Sequence, residues 1–249
     1  MWRSKEREKS DGRVRILRVP CAPLKAALRK LNRELLQNFD RNPHCFCRAK
    51  SGVLAAVRSH QRHPALMHRD ISSFFPSVTR LRVLRTLQRL GFSDADAALI
   101  ADVCTVDDQL PQGSPASVTL GNLVLIKLDC RIGTLCAKHG MTYTRYVDDV
   151  AVSGGHGRLA AILALVDRII SDDGWECGAK GGVFVPGQYR EYLGVSVGGT
   201  LKPGRKSSEK ALKAHQDLEC GAITHAEFLS RTAWTKKIGE IGQRTKARL

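Results

Sequence analysis

The sequence predicts an α+β protein with a split βαβ (ferredoxin-like) antiparallel core. Three observations lead there. Helical and strand periodicities alternate along the chain, and the middle runs strand, helices, hairpin, helix, strand. The stretch TYTRYVDDVAVSG sets two β-rich arms around a tight turn. With 249 residues, 43% hydrophobic and 26% charged, the chain can bury a sizeable core and is unlike a disordered segment.

The elements follow in order. Gly12–Pro20 alternates basic and apolar residues, a strand with one cationic face. Pro23 opens an amphipathic helix to about Gln37, with Leu24, Leu28, Leu31 and Leu35 in one stripe. Residues 38–52 read as irregular, Val53–His60 as helix, and Leu66–Ile71 as a short strand. Thr79 caps a helix ended by Gly91, and Ser93 with Asp94 and Asp96 starts another that ends near Cys104. After the turn Asp107–Gly113, Ser114 as N-cap and Pro115 at the first position predict one long helix to about Lys138. The hairpin follows, then a helix over Gly157–Ser171, strands over Val183–Val185 and Tyr189–Val197, and two or three basic helices in the last 45 residues.

The net charge of +16 is segregated. Residues 1–69 carry 17 Lys and Arg against 5 Asp and Glu, residues 70–200 carry 12 against 14, and residues 201–249 carry 11 against 5. Two basic ends around an acidic middle fit a polyanion held at a site that handles cations, although an ordinary solvated surface also uses Lys and Arg. The eight cysteines include no CxxC pair, so reduced thiols are expected, and the His and Cys spacing around residues 44–63 fits no structural zinc pattern. The polar N-terminus and the shortness of every apolar run lead us to expect a cytoplasmic protein without a membrane partner.

Adjacent Asp148 and Asp149 repel by about 1 kcal/mol in water and about 4 kcal/mol at an effective dielectric of 20. A DD-tipped hairpin also occurs as an ordinary turn. Asp70, at the end of a short apolar strand, supplies a third carboxylate, and the three together make a two-Mg²⁺ site plausible. In LPQGSPAS the glycine permits close backbone approach, and the following helix start would face a nucleotide, though a capped helix needs no ligand.

DISSFFPS, PQGSPAS and YVDD, in that order, resemble motifs A, B and C of the reverse transcriptase palm, closest in style to bacterial retron and group II intron enzymes. GRVRILRVP and CFCRAKSG resemble two fingers motifs, and Tyr192-Leu193-Gly194-Val195 resembles the primer grip. Where retron enzymes usually carry Asn-Ala-x-x-His and Val-Thr-Gly, this chain has AAVRSH (55–60) and QYREYLG (188–194).

The resemblance implies a right-hand polymerase fold with a ferredoxin-like palm, helical fingers and a short helical thumb. Residues 1–69 would be basic fingers, 70–200 the palm with a fingers insertion at about 77–110, and 201–249 the thumb. Asp70, Asp148 and Asp149 would bind metal, with the Ile71 carbonyl as a further ligand and Mg²⁺, or Mn²⁺ in its place, as the ion. Phe75 would exclude a 2′-hydroxyl, Gln112 and Gly113 would border the base pocket, and Tyr146 and Val147 would contact the primer end. Arg15, with Arg48 or Lys50, would meet the triphosphate, and Lys180 would protonate departing pyrophosphate. The implied partners are an RNA template, an RNA/DNA duplex, dNTPs, and a structured cognate non-coding RNA or accessory protein, with antiphage defence as the role. Rival readings are a protein-primed or template-independent polymerase, an RNA-dependent RNA polymerase, and a non-catalytic RNA-binding relic.

Overall fold

The computed structural model describes residues 2–8, 12, 14–48 and 51–246, with backbone only for residue 180 and residues 244–246. No element is expected for the polar leader, yet Trp2–Glu8 forms β1, paired antiparallel with β2 (Val14–Pro20). An alternating strand needs a partner for its backbone donors and acceptors, and the leader supplies it. Helix α1 (Ala22–Glu34) passes into a 3₁₀ turn at Leu36–Asn38, and α2 (Val53–His60) precedes β3 (Ala65–Ile71).

A short α3 (Phe74–Ser77) follows, then α4 (Arg80–Arg89) and α5 (Asp94–Cys104). Thr79 and Ser93 cap the latter two, their side chains accepting from the amides of Arg82 and Asp96. The single long helix expected from Ser114 is instead two: α6 (Ser117–Val124) and α7 (Ile126–Lys138). Ser114 Oγ accepts from the Ala116 amide and Ser117 Oγ donates to the Pro111 carbonyl at 2.7 Å. These bonds hold residues 111–116 as a turn, so the helix starts two residues late, at Ser117 with Ala116 as its N-cap. At Leu125 ψ is −1°, far from the helical value, which parts α6 from α7.

Strands β4 (Thr142–Tyr146) and β5 (Asp149–Gly154) form the expected hairpin, α8 (His156–Asp172) follows, and β6 (Cys177–Phe184) is longer than the three residues anticipated. Its glycines hide it from a propensity reading, but Gly178 and Gly181 lie where a side chain would strike Asp70 and the His68 carbonyl. The order β4-β5-β3-β6, with every pair antiparallel, is that of a ferredoxin-like sheet. The strand expected at 189–197 is a tight hairpin of β7 (Glu191–Tyr192) and β8 (Val195–Ser196), joined in one sheet with β9 (Lys202–Pro203). Leu193 and Gly194 both have positive φ, as a two-residue type I′ turn requires. Helices α9 (Arg205–Glu219) and α10 (His225–Lys246) close the chain.

The period of two along β3 and β5 sorts the sheet's two faces. Ala65, Met67, Val150 and Val152 enter the main core with the helices α4 to α8, while Leu66 and Ala151 join a second cluster with Ala56, Tyr192, Val195 and Ile238. Asp70 shares the parity of Leu66, and Asp149 that of Ala151. Both carboxylates therefore belong to the face turned away from the main helical layer.

Candidate active site

Asp70 and Asp149 are direct partners across β3 and β5, so antiparallel register alone brings together two carboxylates nearly eighty residues apart in sequence. The Ile71 amide donates to the Asp148 carbonyl at 2.9 Å, pinning the strand end to the hairpin tip. Oδ1 of Asp70 is buried without a hydrogen-bond partner, and it lies against Gly178, which leaves room for it. Burial pushes the Asp148 carboxyl up; its own amide opposes this, Asp70 adds to it, and Arg15 and Arg145 pull it down.

The tip is a two-residue turn, Val147-Asp148, between the paired Tyr146 and Asp149. Val147 has φ of 58° while Asp148 is absent from the positive-φ residues, the φ pattern of a type II′ turn in which glycine normally occupies the first central position. A β-branched residue there costs of order 1–3 kcal/mol and persists only when its surroundings over-determine it. They do so here. Arg145 Nη1 donates to the Val147 carbonyl at 2.7 Å, and the Val147 amide donates to Cys47 Sγ at 3.3 Å.

Arg145 is itself fully buried, paired with a fully buried Asp129 of α7 at 2.6 Å. Its Nε donates to both Asp129 oxygens at 2.8 and 3.0 Å, and Nη1 also reaches Asn122 Oδ1 at 3.1 Å. Tyr143 and Asn42 donate to the same carboxylate, and Asn122 donates to Asp40 at 3.0 Å. The segment 44–47, within a stretch expected to be irregular, lies along the free edge of β4: Arg145 N donates to the His44 carbonyl at 2.8 Å and Phe46 N to the Arg145 carbonyl at 2.9 Å. None of these supporting residues stood out in the sequence except by one signal. An arginine inside the strand TYTRY and an aspartate on the apolar helix IKLDCRIG are buried-pair candidates only once a fold relates them.

Phe74, 2% exposed, is the core residue of its pair, and Phe75 is half-buried beside it with ring centroids 5.3 Å apart. Tyr146 is also half-buried, and burial raises its hydroxyl pKa. The Gln112 carbonyl accepts from the Arg18 amide at 2.8 Å, Gln112 Oε1 is buried without a partner, and Gly113 has φ of 115° with the Arg18 carbonyl close by. This turn is thus held against β2, and Arg18, which the sequence did not single out, also pairs with Asp107 at 2.7 Å. Arg15 is exposed and stands within electrostatic reach of Asp148. Arg48 Nη1 instead points to the Asp40 carbonyl at 3.5 Å. Lys50 lies outside the described residues, as does the side chain of Lys180, whose backbone is in β6. Tyr192 donates to the Asp149 carbonyl at 3.4 Å, which seats the β7–β8 turn against the carboxylate strand.

Among the described residues no three His, Cys, Asp or Glu side chains form a ready-made metal cage. The histidines and cysteines near residues 44–63 serve other partners: His60 bridges Ser153 and Thr144 at 2.7 Å each, and His63 meets Thr142 at 2.8 Å. The aspartates nevertheless fit Mg²⁺. It takes one or two carboxylates and completes its shell with water and substrate phosphates, and the unpartnered buried oxygen of Asp70 is a hard donor of that kind.

A ferredoxin-like sheet carrying this carboxylate cluster at a hairpin tip, with its main helical layer on the opposite face, is the palm of a right-hand polymerase. Solved structures agree at the level of fold: telomerase from Candida albicans with a fragment of telomeric RNA superposes with a TM-score of 0.58 over 82% of this chain and 46% of that one, at 10% identity. Telomerase from Candida tropicalis gives 0.57 over 78% and 52%, also at 10% identity. The family model described as reverse transcriptase (RNA-dependent DNA polymerase) matches residues 7–197, and the chain belongs to that family. Its curated relatives include the retron Mx65 reverse transcriptase of Myxococcus xanthus, 32% identical over 80% of this chain and 51% of that protein. Another is the retron Ec86 reverse transcriptase of Escherichia coli, 30% identical over 59% and 47%. The chain thus spans about half the length of these relatives. Among the described residues no helix is long and apolar enough to cross a membrane.

Proposed function

We propose that the protein is an RNA-directed DNA polymerase that extends a primer on an RNA template with dNTPs. The observation that carries this reading is the direct pairing of Asp70 with Asp149 beside the tip residue Asp148. Asp70, Asp148, Asp149 and the Ile71 carbonyl would hold Mg²⁺, with Mn²⁺ as a substitute. Two such ions, when bound, supply activation of the attacking 3′-hydroxyl and neutralisation of the departing pyrophosphate.

The chain's own residues then bind and orient. The half-buried ring of Phe75 restricts the space at the sugar and disfavours a 2′-hydroxyl. Gln112 and Gly113, held on β2, border the base, and Tyr146 and the strained Val147 face the primer end. Arg15 offers a guanidinium to the triphosphate beside Asp148; Arg48 and Lys50 would assist it, and Lys180 would be the proton donor to pyrophosphate. In this reading residues 1–69 act as fingers, 70–200 as palm with the insertion at about 77–110, and 201–249 as a thumb tracking the RNA/DNA duplex. A structured non-coding RNA or accessory protein as partner, a bacterial cytoplasmic location and a role in antiphage defence belong to the same proposal.

The test is incorporation of labelled dNTPs on a primed RNA template with Mg²⁺, wild type beside Asp148→Asn/Asp149→Asn, at salt where both bind the template equally. Incorporation by the wild type alone supports the reading. Equal incorporation by both proteins, or none by either, counts against it.

A further inference from the structure

On the far side of the sheet from Asp70 and Asp149, the helices α4, α6 and α7 enclose a groove of about 600 Å³. Arg82, Arg85, Arg89 and Lys127 line it, and its only carboxylate is Asp173. That carboxylate is already engaged, with Arg131 at 3.6 Å and Trp175 Nε1 at 3.3 Å. None of the four cations forms an ion pair among the described residues. Arg82 is built into the wall, stacked 3.9 Å over the Trp175 ring and bonded to the Gly174 carbonyl at 2.8 Å. Arg85, Arg89 and Lys127 are exposed.

The groove continues into a recess of about 210 Å³ floored by Leu90, Leu123, Val124 and Ile126, with Arg89 and Lys127 at its rim. Arg82, Arg85 and Arg89 follow one another at intervals of three and four along α4, so they form one stripe about 5–6 Å apart. A stripe of guanidiniums suits phosphate oxygens, which it grips in planar, bidentate fashion. An apolar recess beside it suits the face of an unpaired base, which folded RNA exposes in loops and bulges. An acidic peptide would match the charge but leave the recess empty.

We propose that this groove is a second RNA-binding site, separate from the primer-template cleft, that takes the phosphodiester backbone of a folded RNA on Arg85, Arg89 and Lys127 and one unpaired base in the recess. The inference rests on the chain acting on RNA but not on its being catalytically active.

The probe is a fluorescein-labelled RNA hairpin with a single-stranded loop, titrated into full-length protein whose cleft is saturated with unlabelled RNA/DNA primer-template. Wild type is compared with Arg85→Glu/Arg89→Glu/Lys127→Glu and with the charge-preserving Arg85→Lys/Arg89→Lys/Lys127→Arg. The acidic variant should bind the hairpin at least about tenfold more weakly near physiological salt. Its slope of log K against log[salt] should flatten by about 2, the value for three lost phosphate contacts at about 0.7 each. The charge-preserving variant should retain most of the binding, and extension of a short primed template should be unchanged in all three. Unaltered affinity and slope in the acidic variant would overturn the site. So would equal loss in both variants, no second RNA bound by wild type, or loss of binding to phosphatidylglycerol vesicles rather than to RNA. Second-site binding without dNTP incorporation by wild type would sink the polymerase reading and leave the groove standing.

Discussion

Arg145 of β4 and Asp129 of α7 meet at 2.6 Å with both side chains fully buried, and the same guanidinium holds the carbonyl of Val147 in the turn that presents Asp148. A buried pair of this kind is weak evidence for stability in itself, because desolvation offsets much of its attraction. Breaking one side is a different matter. Asp129→Ala should lower the unfolding free energy by about 3–5 kcal/mol in urea titrations, while the pair replacement Arg145→Met/Asp129→Leu should cost clearly less. Equal costs for the two would show that the ion pair does not govern the effect.

Cys47 is the other support of that turn. Its hydrogen bond with the Cys45 thiol, ahead of an opposing burial effect, pulls its own thiol down to about 6, while the same bond raises Cys45. Cys47→Val removes the acceptor of the Val147 amide and should cost about 1–3 kcal/mol. Cys47→Ser keeps an acceptor in place and should cost less. Thermal melts of the two variants check the order, and a more stable valine variant would rule this contact out as a support.

His60 gives the protein an acid sensitivity. Burial first, and then His63, push its imidazole down to about 3, so it is neutral when folded and gains a proton more readily when unfolded. Stability from this group is fully present above the unfolded value near 6.5 and is lost as pH falls from there toward 3. Between pH 7 and 5 the loss should be about 2 kcal/mol. Urea unfolding of wild type and His60→Gln across that range should show a flatter dependence in the variant, and parallel curves would refute the assignment.

Phe75→Val should relax sugar discrimination if the ring borders the incoming sugar. The ratio of dNTP to rNTP incorporation is expected to fall by roughly tenfold or more, equivalent to about 1.4 kcal/mol. An unchanged ratio with a lowered melting temperature would return Phe75 to a packing role beside Phe74.

Much of this architecture is local and therefore legible. The caps at Thr79 and Ser93, the hairpin arms around Val147-Asp148, and the apolar strand ending at Asp70 all declare themselves within a dozen residues. The split βαβ order follows from their succession. What escaped was non-local. The leader became β1 because β2 needed a partner, glycine-rich β6 formed because Asp70 and His68 left no room for side chains, and residues 44–47 paired with β4 because Arg145 had free backbone groups there.

By itself, the sequence determined which carboxylates are present, the order in which they occur, and the basic flanks that a polyanion would meet, because residue type, spacing and charge are local properties. Only the tertiary structure decided that Asp70 stands opposite Asp149, that a buried arginine and a thiol hold Val147 in its strained turn, and that four cations share a groove behind the sheet. Strand register and helix packing join segments tens of residues apart, and their energies depend on burial and pairing that no single stretch contains.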